Sequence, residues 1–135
     1  MMLAIEMSAV IEQMAWWLIR TTNDRPFVLS DCPVAMYDPA LREGRGNALR
    51  SSPLARTTLP IDPQACLLLQ SDGVEFAERA PIDDEVEQIN LSTYAWADRW
   101  VFAGSEETLA KLHANAQANH EMMSRLEPRP YFRPV

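Results

Sequence analysis

The run ACLLLQSDGVEFAE, residues 65–78, restricts the fold more than any other stretch of the chain. Two apolar-rich segments, Cys66–Gln70 and Val74–Glu78, flank Ser71-Asp72-Gly73. An Asp-Gly step supplies the positive φ angles of a tight turn, so the run predicts a β-hairpin. Further short strands are expected at Phe27–Leu29, at 57–61 (TTLPI) and at 100–104 (WVFAG). Pro60 has no N–H to give to a ladder and confines the second of these to an edge or a strand end.

Helical periodicity occupies much of the remainder. Leu3, Met7, Val10, Met14 and Trp17 are spaced by three and four, with Ile11 and Leu18 beside them, which predicts an amphipathic helix over 3–20 ending near Thr21–Asp24. A second helix is expected from Pro81, with Asp83, Asp84 and Glu85 at the positive end of its dipole and Val86, Ile89, Thr93, Ala97 and Trp100 on one face. Ser105 is a good cap for a last helix, which has Glu106 and Glu107 in its first turn and Leu109, Leu112, Ala116 and Met123 following. Residues 38–56, with two Gly, two Pro and four Arg, read as a loop. The sum is an α+β fold: a small antiparallel sheet of four or five strands with about three helices packed on it. It forms one domain over 1–127, followed by a Pro-rich tail at 128–135.

At 135 residues and 47% apolar content the chain is long enough for one core and too apolar for a disordered segment. Nineteen acidic against twelve basic residues give a net charge of -7, which disfavours nucleic-acid binding because phosphate contacts supply most non-specific affinity. The first twenty residues lack an early basic region, and Glu6 and Glu12 interrupt their apolar positions. Neither a signal peptide nor a membrane span is expected, and the location expected is cytoplasmic. Cys32 and Cys66 are too few for a disulfide framework or a zinc cluster; free thiols are expected, with a single bridge between them as the alternative.

Three blocks, in order, resemble a bacterial family known as domain of unknown function 4238. Trp17 is followed by FVLSDCP (27–33), where the family pattern has a Trp-containing helix, a strand and a Ser-Asp-Asn-Pro turn. LPIDPQACLLL (59–69) is similar to a Pro-Leu-Ser-Pro-like step before an apolar strand, and INLSTYAWADRWVFAG (89–104) to an Asn-bearing helix followed by an Ala-x-Arg step and a short strand. Together the blocks span residues 17–104. The chain departs from the pattern in two places. The family's opening HYVPQF-like block has no counterpart here, so the resemblance covers the family's C-terminal part, and Cys32 stands where the family has Asn. The resemblance implies a fold and candidate ligand-binding positions, Ser30, Asp31, Asn90 and Arg99; it implies no reaction.

Asp31 has two readings. Asp and Ser side chains bond to backbone N–H groups two or three residues on, and Pro33 stops further pairing, so Ser30 and Asp31 suit a strand-ending turn. Alternatively Asp31 is a catalytic acid or base, or a ligand anchor, with Asn90 or Arg99 nearby. Cys32 as a nucleophile would need a base within reach, and the histidines, His113 and His120, lie far along the chain. Those two histidines sit two helical turns apart, about 10 Å along the axis, too far to share one metal. No metal and no cofactor are expected, since the chain has no glycine-rich phosphate loop, Ser-nucleophile elbow or His-Glu-x-x-His pair.

Charge is uneven: residues 42–56 carry four Arg and one Glu, whereas 72–98 carry eight acids and only Arg79. Such a surface could dock a second copy or take a small anionic ligand at the Arg-rich loop; a solvated loop and helix start explain it equally. Adjacent Trp16 and Trp17 are separated by about 100° on a helix, so one of them must meet another element or another chain. They are the candidate interface of a homodimer. The function expected is that of a binding or interaction module. The alternative is a hydrolase or nuclease-like enzyme with a carboxylate site at Asp31, Asn90 and Arg99.

Overall fold

The computed structural model describes residues 12–37, 54–71 and 76–126. In chain order these form β1 (Ala15–Arg20), β2 (Leu29–Ser30), β3 (Ala35–Tyr37), β4 (Arg56–Asp62), β5 (Ala65–Gln70), β6 (Phe76–Arg79), α1 (Glu85–Trp96), β7 (Val101–Phe102), α2 (Glu106–Ala118) and α3 (His120–Leu126). Five strands make one sheet in the order β3-β4-β5-β1-β6, and β2 pairs with β7 in a separate two-stranded ladder. The class is α+β, as expected. The sheet is mixed rather than purely antiparallel, because β1 runs parallel to β6.

Two expectations are corrected by β1. Residues 15–20 form a strand, not the end of a helix over 3–20; residues 1–11 lie outside the described residues. Ala-Trp-Trp-Leu-Ile favours strand through its aromatic and β-branched members, and tertiary pairing overrides the spacing of three and four. In a strand neighbouring side chains point to opposite faces, so the adjacent tryptophans cease to compete for one face. Trp17 turns inward beside Ile19, and Trp16 turns to the other face.

β1 also lies between the two segments expected to form a hairpin. β5 pairs with β1 and β4, and β6 pairs with β1, so β5 and β6 do not touch through a ladder. A tight turn joins strands about 4.8 Å apart, whereas this connection must bridge two spacings, about 10 Å. The Asp72-Gly73 step itself lies outside the described residues. Among the described residues the tight hairpin is β4–β5, where Asp62 Oδ1 accepts from Gln64 N at 2.6 Å and closes the turn. β3 pairs with β4 only as far as Thr58, so Pro60 lies past the end of β3, next to a register shift, where its missing N–H leaves no gap in that ladder.

The helices are shorter than their periodicity suggests. Asp83 has a left-handed φ of 44° and separates Pro81 from α1, which ends at Trp96 because Ala97 is extended. Ala97 and Trp100 therefore leave the predicted helical face. Ser105 caps α2 by accepting from Thr108 N at 3.2 Å, as expected, but the single last helix is two, broken at Asn119. β3 was not anticipated. Of the loop expected over 38–56, residues 38–53 lie outside the described residues, as does the tail.

One face of the sheet carries Ile19, Cys66 and Leu68, which pack with Phe27 against Val86 and Ile89 of α1. A second cluster joins the helices: Val28, Leu91, Leu112, Ala116, Met123 and Leu126, together with Tyr37 of β3. Consecutive residues Phe27 and Val28 enter different clusters, so this short segment is wedged between sheet and helices. Phe27 N donates to Pro63 O at 2.8 Å on the sheet side. On the helix side the buried Asn90 amide takes both of its neighbours: Oδ1 accepts from Val28 N and Nδ2 donates to Pro26 O, each at 3.0 Å. No described helix is long and apolar enough to cross a membrane.

Replacing Asn90 with Ala strands the Val28 amide and the Pro26 carbonyl; the expected loss of stability is about 2–4 kcal/mol by chemical denaturation. Asn90→Asp keeps the acceptor, but its ionised carboxylate has no donor for Pro26 O; it should fall between Asn90→Ala and wild type only at a pH where the introduced carboxyl is neutral and offers an O–H.

Candidate functional site

The turn after β2 binds itself to the chain end of α1. Ser30 Oγ accepts from Cys32 N at 3.2 Å and donates to Cys32 O at 2.8 Å, the local bonding expected of it. Asp31 reaches much further. Its Oδ1 accepts from Asp98 N at 3.0 Å and its Oδ2 from Arg99 N at 2.9 Å, while its own amide donates to Trp100 O at 3.1 Å. Desolvation acts to raise the Asp31 carboxyl, but the N–H groups of Arg99, Asp98 and Trp100 outweigh it and hold the group below its ordinary value.

The four sequence-predicted positions are thus partly assembled. Asp31 meets Arg99 through the Arg99 backbone; the guanidinium points to solvent, 79% exposed, with its Nε 3.6 Å from the Asp98 carboxylate. Asn90 is engaged with Pro26 and Val28. Arg99 lines a cavity of about 570 Å³ with Tyr94 and Met123, and Asn90 lines a different one of about 520 Å³ with Arg25 and Lys111. Cys32 and Cys66 are both free. Burial pushes the Cys66 thiol up to about 12, so it stays protonated and unreactive in the fold. The break at Asn119 puts His113 and His120 on separate helices, and His113 Nδ1 lies 3.3 Å from the Tyr94 hydroxyl.

A constellation that the sequence reading missed lies where the sheet meets the start of α1. Glu85 is only 6% exposed, and its carboxylate is held by both arms of Arg79, Nη1 to Oε1 at 2.7 Å and Nη2 to Oε2 at 2.8 Å. Ile82 N adds a bond of 3.3 Å, and Arg56 Nη1 stands 3.6 Å from Oε2. The Glu85 bonds raise the Arg79 guanidinium, which also lies over the Trp17 ring at 5.5 Å. Burial raises the Tyr37 phenol above its usual value against the opposing effect of Arg56, so it is neutral near pH 7. Tyr37, Arg56 and Glu85 line a cavity of about 370 Å³.

A signal for this cluster existed. Glu85 falls on the same helical face as Ile89, four residues on, and a charge on an apolar face asks for a buried partner. Arg79 likewise alternates inward with Ala77, the neighbour of Trp17 across the ladder.

Trp17 packs against the inner cluster, so the two tryptophans do not form one surface. Trp16 lies opposite Phe76 across the parallel β1–β6 ladder, and register partners share a face. Trp16 is 36% and Phe76 63% exposed, and the ion pair Arg20–Glu78, at 2.7 Å, sits on the same face. Among the described residues β6 is the terminal strand of the sheet.

A family model described as protein of unknown function (DUF4238) matches residues 1–107. No curated protein and no solved structure matches the chain.

A thiol reagent should label one cysteine, Cys32, in the native protein and two after denaturation; rapid native labelling of both would contradict the burial of Cys66. Because the folded Asp31 carboxyl is held below 3.8, its contribution to stability is complete above that value and is lost as pH falls through the lower, folded one. Asp31→Asn should therefore lower the melting temperature at neutral pH and flatten its decline below about pH 4. It should also speed hydrogen exchange at the Asp98 and Arg99 amides.

Proposed function

The chain belongs to the DUF4238 family, and from that premise we propose that it is a binding module that assembles with a second copy of itself in the cytoplasm. The observation that carries the reading is the Trp16–Phe76 pair, exposed side by side on the last two strands of the sheet. Among the described residues no strand lies beyond β6, and a terminal strand is a template for a further one: a twofold partner can pair its own β6 there while seating Trp16 and Phe76 as apolar anchors. Free Cys32 and Cys66 suit a reducing compartment. A small anion at the Arg-rich loop is part of this reading, and Arg56 is the loop's one arginine among the described residues.

What supports this over a carboxylate-centred hydrolase is how the polar groups are engaged. Both oxygens of Asp31 accept backbone N–H groups, Asn90 bridges Pro26 and Val28, and the Arg99 guanidinium faces solvent. A general acid or base needs its titrating oxygen within reach of a substrate.

Light scattering should give a mass twice the chain's 15.3 kDa. Phe76→Glu should return it to a monomer with an unchanged far-ultraviolet spectrum. A wild-type monomer up to about 100 μM overturns the reading, as does a Phe76→Glu dimer.

A further inference from the structure

We infer that the cavity between Tyr37, Arg56 and the turn into α1 binds a small zwitterionic amino acid with an apolar side chain. The cavity holds about 370 Å³, within the range of small-molecule sites. Its walls carry both signs of charge. Arg56 stands on the β4 side, and Asp83 and Asp84 stand on the turn that leads into α1. Glu85 lies between them, but its two oxygens are already matched by the paired arms of Arg79. Arg56 bonds the Tyr37 phenol and stands 3.6 Å from Glu85, longer than a hydrogen bond; among the described residues these two contacts engage only part of its five N–H groups, and the rest can meet a ligand carboxylate. The neutral Tyr37 phenol borders the same space.

The acidic side is fixed in place before any ligand arrives. Asp83 O accepts from Arg25 Nη2 at 2.6 Å, and Arg25 is in turn paired with Glu87 at 2.7 Å, which holds the left-handed turn. Asp84 Oδ2 accepts from Gln88 Nε2 at 3.1 Å, and both residues line the cavity. A simple anion would meet this acidic rim, and a simple amine would meet Arg56. A ligand bearing a carboxylate at one end and an ammonium at the other satisfies both. Ile82, Met122 and Leu126 supply the apolar wall for its side chain.

The test is a two-dimensional amide spectrum of the full chain titrated with L-leucine and L-methionine, and with two one-charge analogues, isocaproate and isopentylamine. The amino acids should shift the amides of residues 82–85 and of Arg56. Each analogue should bind about fivefold or more weakly than L-leucine. Asp84→Asn, a change at an exposed side chain, should weaken L-leucine about fivefold and leave isocaproate no weaker; Asp83→Asn serves where Asp84→Asn alters the fold. The inference is overturned if neither amino acid shifts these amides at about 10 mM. It is overturned equally if isocaproate binds as tightly as L-leucine, which leaves a plain anion site, or if isopentylamine does, which leaves a cation site.

Discussion

The side-chain amide of Asn90 ties together two of the three clusters that make up the core of the described residues, the one under the sheet and the one among the helices. Phe27 belongs to the cluster under the sheet and Val28 to the one among the helices. The segment that carries them lies outside any strand from Pro26 to Val28; Phe27 N finds the Pro63 carbonyl, and the Asn90 side chain supplies the partners of Val28 N and Pro26 O. Asn has one acceptor and two donors on a short stem, and it is placed on α1 to meet an N–H and a C=O two residues apart. A residue without both kinds of group would leave one of them orphaned in the interior.

The second fixed point is ionic, and it works by a different balance. Burying Glu85 costs a large desolvation penalty, which the fork of Arg79 offsets with two short charge-assisted bonds. Arg79 in turn lies over Trp17, so its guanidinium is braced on its flat face as well as at its edge. The pair joins the terminal strand β6 to the first turn of α1. Without it, the strand would lean on the parallel β1–β6 ladder and on the exposed Arg20–Glu78 pair across the same two strands.

Much of the helical half was legible in the sequence. The Ser105 cap and the face of Val86 and Ile89 came from local chemistry, because a cap and a helical face need only residues within a turn or two. The sheet was less legible. The Asp-Gly step after β5 is a sound turn signal, yet which strand lies alongside depends on what the rest of the chain inserts, and β1 inserts itself. Met14, Trp17 and Leu18 fit a helical stripe, whereas Ala15, Trp17 and Ile19 fit a strand, and six residues are too few for periodicity to choose. The buried role of Arg79 and Glu85 was hidden for a related reason. Opposite charges six apart in sequence become partners only after the Asp83 turn folds one back on the other.

The candidate positions share a structural duty of the same kind. Of the three sequence blocks that carry the family resemblance, the first and the third meet each other repeatedly. Val28 meets Asn90, β2 pairs with β7, and Asp31 caps the amides of Asp98 and Arg99. The middle block closes the arrangement from the other side, since Pro63 O receives the Phe27 amide. An Asp with two oxygens can gather two successive N–H groups where α1 gives way to β7, and no neutral side chain of that length offers two equivalent acceptors. The residues that look most chemical in the sequence are therefore the ones that join distant segments. The charged groups that line the cavity beside Tyr37 stand elsewhere, on β4 and at the entrance to α1.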